Sequence, residues 1–110
     1  MKNNKVYLNQ ILDSIDKIKN FSHNFTYQQF SEDQKTQSAV IMQLALIGEL
    51  AKHISNETKE KIDLPWKEIT GFRDRAIHDY YQIDLEIVWE TISTDIQLLE
   101  NVIKDFLSSE

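Results

Sequence analysis

Residues 71 to 81, GFRDRAIHDYY, gather two arginines, one of the chain's three histidines and two of its four tyrosines in one short window. These residue types suit cleavage of RNA without a metal. Histidine is the side chain that moves a proton near neutral pH, and a guanidinium matches the oxygens of a phosphate whose charge grows in the transition state. His78 and Arg73 supply that minimum, and Asp74, one turn before His78, is placed to orient the imidazole. The same spacing also suits an ordinary helix surface. Asp74 and His78 are four apart, as are Arg75 and Asp79, which is ion-pair spacing. Ile69, Phe72, Ala76 and Tyr80 fall on one stripe, so Tyr80 also reads as an aromatic at the edge of a core.

Geometry sets a condition on the reactive reading. On a straight helix Arg73 and His78 stand about 140° apart. Both reach one substrate atom only if the helix is irregular near Gly71, if the Arg73 side chain swings round, or if the cleft lies between two protomers. Other chemistries have less to stand on. His23, His53 and His78 lack the short spacing of a zinc motif, and two glycines cannot build a phosphate-cradling loop. Cysteine is absent, which removes thiolate sites and disulfides. No metal and no cofactor is expected. Glu49 is the remaining oddity, a carboxylate inside the apolar LALIGELAKHI, residues 44 to 54. It has to reach the rim, pair with Lys52 or His53, or face a cleft opposite Arg73.

The elements that must hold these groups are helical. A chain of 110 residues with 41% hydrophobic residues, two glycines and one proline is too apolar for disorder and too poor in turn residues for many strands. It reads as one domain, residues 1 to 110. A first helix is expected over about Val6 to Phe21, from Leu8, Ile11, Leu12, Ile15 and Ile18. A polar-aromatic connection follows. Ser31 or Asp33 then caps a second, deeply buried helix that runs to about Ile54. The next connection has room for a short helical turn. Pro65 suits the first position of a third helix, and Gly71 inside it suggests a kink or a close backbone approach. Asp84 caps a fourth helix whose Leu85, Trp89, Ile92, Ile96, Leu99, Ile103 and Phe106 alternate in steps of four and three. The expected fold is all-α, an antiparallel bundle of four main helices with room for an extra short one.

A net charge of −6 argues against a broad basic face that grips nucleic acid. Over residues 66 to 80, however, Lys67, Arg73 and Arg75 balance Glu68, Asp74 and Asp79. The N-terminal segment has no continuous apolar core of a signal peptide, and residues 39 to 48 are too few to span a bilayer. No membrane role is expected, and a cytoplasmic protein is the default.

RDRAIHDYY resembles the signature of the HEPN superfamily, and in particular of its HepT-like toxins: arginine, four residues, histidine, one residue, tyrosine. Those positions are Arg73, His78 and Tyr80, with Asp74 as the polar residue after the arginine. The likeness extends in order and spacing over roughly residues 38 to 92, through Glu49, Pro65, Trp66 and Trp89. It implies a HEPN-like bundle and a metal-independent endoribonuclease toxin acting on RNA. It also implies a homodimer in which the motif residues of two chains meet at one cleft. Arg73, Asp74 and His78 would be the catalytic residues and Glu49 a support of the cleft. The implied partner is a minimal nucleotidyltransferase antitoxin that AMPylates Tyr80, with Tyr81 the nearest rival acceptor. The chain departs from the pattern at Asp74, often Asn, and at Asp79, where a small residue is common. The extra negative charge keeps open a different class of function, a non-catalytic helical module that docks a nucleotidyltransferase or binds nucleotide.

Overall fold

A computed structural model describes residues 4 to 110, so the first three positions of the expected domain lie outside the described residues. The chain is all-α, with no strand among the described residues. Helix α1 (Asn4–Phe21) buries Leu8, Ile11, Ile15 and Ile18 at helical spacing. Two of the expected boundaries sharpen at the next connection. Thr26 and Gln29 form a capping box that opens a five-residue helix α2 (Tyr27–Ser31), and Phe30 drops from it fully into the core. An element this short carries no readable periodicity. Asp33, not Ser31, caps the long helix α3 (Gln34–Lys52), accepting from the Thr36 backbone N–H at 3.0 Å. That hydrogen bond holds the Asp33 carboxyl below its usual range.

Helix α3 is the centre of the bundle. It packs on α1 along one side and on α5 along the other, and it buries Val40, Ile41, Leu44, Ala45, Ile47 and Ala51. The expected turn after it is helix α4 (Asn56–Lys61), capped by Ser55. Helix α5 (Trp66–His78) starts just after Pro65, which occupies the cap and not the first turn. The Trp66 indole N–H donates back to the carbonyls of Ile62 and Lys59, at 3.1 and 3.2 Å, and so ties α5 to the end of α4.

A short 3-10 turn (Tyr80–Gln82) links α5 to helix α6 (Leu85–Glu90), which Asp84 caps through the Glu86 N–H. A π-helical turn (Thr91–Asp95) joins α6 to α7 (Ile96–Ser108). The four-and-three seam lies inward as expected, with Ile96, Leu99 and Ile103 buried and Trp89 packed on Phe30, ring centroids 5.3 Å apart. At the α1–α7 contact Glu100 is almost fully buried, held by Lys19 and by Lys104 at 3.1 Å. The Lys19 contact, more than any other, lowers the Glu100 carboxyl below the usual glutamate range. No helix among the described residues is long and apolar enough to cross a membrane.

Candidate active site at the crossing of α3 and α5

A glycine sets this crossing, and it is not the one the sequence singles out. A Cβ at Gly48 would lie 2.7 Å from the Ile69 carbonyl oxygen and 2.8 Å from Arg73 Cβ, far inside contact distance. Only hydrogen fits, so the two backbones come together there. Gly71 has no such neighbour, since a Cβ on it would meet only Arg75 Nη1 at 3.7 Å. Nor does Gly71 break α5, which is continuous from Trp66 to His78. The expected kink is absent, and within the chain the close approach belongs to Gly48.

The tight crossing puts Glu49 beside Arg73. Glu49 Oε1 forms an ion pair with Arg73, 3.0 Å from its Nε, and its other oxygen stands 3.3 Å from His53 Nε2. Of the partners open to Glu49, both His53 and Arg73 are taken up, while Lys52 turns to Asp74. His53 in turn stacks on Tyr7, with ring centroids 5.3 Å apart. On the other side of the guanidinium, Nη1 donates to Asp74 Oδ1 at 3.2 Å, and Lys52 Nζ donates to the same oxygen at 2.9 Å. These hydrogen bonds, Lys52 first and Arg73 second, hold the Asp74 carboxyl below its usual range. Asp74 is thus committed to two cations and does not bond the imidazole, whatever its helical spacing from His78.

His78 is the last residue of α5 and its side chain is exposed. With α5 regular and the Arg73 side chain drawn toward α3, two of the three ways to focus both groups on one atom fall away. The structure brings Glu49, Arg73 and Asp74 together and leaves His78 apart from them, on the outward face.

Tyr80 stands on the turn beyond α5. It is 38% exposed, and its hydroxyl lies 3.0 Å from that of Ser38 on α3. Sequence reasoning missed Ser38 altogether, and it named Lys52 as a partner of Glu49, whereas Lys52 pairs with Asp74. Both contacts join side chains far apart in sequence, so helical spacing could not find them. The one readable signal was Gly48, a small residue beside an unexplained glutamate on an apolar helix.

Comparison with known proteins gives this geometry its setting. The family model described as ribonuclease HepT-like matches residues 11 to 106. A protein of Thermococcus cleftensis named "Probable ribonuclease HepT" is 37% identical over 100 residues, covering 90% of this chain and 91% of that one. Two others, from Caldanaerobacter subterraneus and Methanocaldococcus jannaschii, carry names that give RNase as a provisional assignment. They are 35% and 36% identical, covering 100% and 94% of this chain and 99% and 90% of their own lengths. No solved structure matches. The helical fold, the ordered motif segments and a family match over nearly the whole length agree: the chain belongs to the HepT-like ribonuclease family.

Proposed function

We propose that the chain is a metal-independent endoribonuclease toxin that cuts RNA at a cleft shared by two copies. The observation that carries this reading is the placement of Arg73 and His78 on one regular helix, about 140° apart. With Arg73 drawn toward α3, a second copy facing the outward side of α5 is the remaining way to assemble both groups around one phosphate. Gly71 supports the arrangement, because by helical spacing it lies on the face of His78, and a Cβ on it would meet only Arg75 Nη1 at 3.7 Å, which leaves room for a neighbouring backbone.

The chemistry needs only these groups. An imidazole takes the proton of the 2′-hydroxyl, the 2′-oxygen bonds to phosphorus, and the bond to the 5′-oxygen breaks as that oxygen receives a proton. The products are a 2′,3′-cyclic phosphate and a 5′-hydroxyl. Arg73 has N–H groups left beyond the one it donates to Asp74 and the Nε that is ion-paired with Glu49. Those face the phosphate and offset its growing charge, while Glu49 fixes the plane of the guanidinium.

Control falls to a minimal nucleotidyltransferase. It transfers AMP from ATP to the Tyr80 hydroxyl, a new phosphoester forms and pyrophosphate leaves. The added phosphate competes for Arg73, and its bulk closes the cleft. What supports Tyr80 as acceptor is its partly exposed side chain, with its hydroxyl beside that of Ser38 just past the end of α5. Peptide mass spectrometry after co-expression checks this, and an adduct on Tyr81, or none, removes the assignment.

The deciding experiment is RNA cleavage by the purified chain in EDTA beside its His78→Ala variant. Cleavage that survives chelation, yields cyclic phosphate ends and falls about a hundredfold or more in the variant is the expected result. One observation favours a second reading, a docking module without nuclease activity: Arg73 is already held by two carboxylates. Under that reading the wild-type chain cuts no RNA yet still binds its nucleotidyltransferase.

A further inference from the structure

Tyr81 has no structural task. The residue is 95% exposed, and its aromatic neighbour among the described residues is Tyr80, met nearly at right angles (86°) with centroids 5.6 Å apart. In such an edge-to-face pair at least one face of the Tyr81 ring stays open, whichever ring presents its edge.

The turn that carries the ring is well held. Gln82 N–H donates to the Asp79 carbonyl at 2.9 Å and Ile83 N–H to that of Tyr80 at 3.2 Å, while the Tyr80 hydroxyl is fixed against Ser38. An open aromatic face on an anchored turn, three residues past His78, is a stacking platform beside the proposed chemistry.

Charge narrows what the platform serves. A chain of net charge −6 gains little from releasing counterions off a phosphate backbone, so it needs another source of affinity for RNA. Stacking is independent of charge and tolerant of sequence, but a base is free to stack on a protein ring only when it is out of the duplex. The geometry points to Tyr81 as a binding subsite for an unpaired nucleobase flanking the scissile phosphate, which makes the substrate single-stranded RNA or an unpaired loop or end. This rests on the ribonuclease reading and adds to it the conformation of the RNA.

The test measures steady-state cleavage of an unpaired oligoribonucleotide, and of the same strand annealed to its complement, by wild type and by Tyr81→Ala, Tyr81→Phe and Tyr81→Trp. The expected result has three parts. The unpaired strand is preferred, Tyr81→Ala raises its KM about tenfold or more with little change in kcat, and Phe and Trp preserve the wild-type KM. An exposed ring can be removed without unfolding the chain, and a thermal melt of each variant verifies this. If wild type cuts RNA and Tyr81→Ala leaves KM unchanged, or if wild type cuts the duplex as readily, the subsite is overturned while the ribonuclease stands. A loss in Tyr81→Ala that accompanies a changed elution volume assigns the ring to self-association and also overturns it. If wild type neither cuts nor binds either RNA, the ribonuclease reading itself falls and takes the subsite with it.

Discussion

Two networks of carboxylates and cations stitch this bundle together, and they differ in what surrounds them. At the α1–α7 contact, Glu100 has a side chain only 7% exposed and is held by Lys19 and Lys104. At the α3–α5 crossing, Glu49 and Asp74 hold Arg73, Lys52 and His53 with side chains between 32% and 53% exposed. The chemistry is the same, and burial decides its use. A carboxylate taken out of water is costly to leave without its cations, here Lys19 and Lys104 at the surface, because its charge is then uncompensated. A pair in solvent contributes little to stability, and its members can be taken over by a ligand of the right charge. The first network therefore reads as a clamp between helices and the second as a set of groups held ready.

Five substitutions sharpen or break this contrast. The largest effect belongs to Gly48→Val, which forces α3 and α5 apart at the Ile69 carbonyl and Arg73 Cβ. A loss of about 3 kcal/mol is expected, with the melting temperature down by more than about 10 °C and Glu49 parted from Arg73. Gly71→Ala is the matched control and should stay within about 1 kcal/mol of wild type in either direction. If the two glycine variants melt alike, the close crossing is not where the structure puts it.

Lys19→Met comes next, at about 1–2 kcal/mol by denaturant unfolding near neutral pH, because Lys104 and Gln97 still reach the buried carboxylate. The acid limb follows from the sign of the shift. The carboxyl of Glu100 is lower in the folded chain than in the unfolded one, so its contribution is present above the ordinary glutamate range. It is lost as pH falls through the lower folded value. Glu100→Gln should flatten that part of the stability–pH curve, and an unchanged acid limb would sink the clamp.

The smallest effect is expected from Lys52→Met, which removes the first partner of Asp74. Its melting temperature should stay within about a degree of wild type, since both partners are solvent-exposed. A large loss would mean that the α3–α5 network is a second clamp and not a set of available charges.

How much of this was legible in the sequence depends on whether a feature is local. The end of α1 at Phe21, the Asp84 cap and the inward seam follow from spacing and capping chemistry, and the structure chooses Asp33 over Ser31, starts α1 two residues early and splits the expected fourth helix by a π turn. Helix α2 was hidden because five residues give no period, although its Thr26–Gln29 box is a local signal. The site was legible in its members but not in its pairings. Asp74 sits at ion-pair spacing from His78, yet a lysine twenty-two residues earlier takes its carboxylate. The glycine roles went the same way. Gly48 beside Glu49 on an apolar helix is a hint along the chain, but only the crossing of two helices shows which glycine has a backbone against it.

The indole that ties α5 to α4 has a use at the bench. The two tryptophans report on different neighbourhoods, Trp66 at the start of the helix that carries Arg73 and His78, Trp89 against Phe30 and Tyr27. Lys59 lies over the Trp66 ring while Trp89 is surrounded by aromatics, so their emission should differ in native protein. A chain reduced to Trp66 alone becomes a fluorimeter for the motif helix. It would register RNA, an AMP adduct or a second copy arriving at α5, while its Trp89-only counterpart follows the rest of the fold.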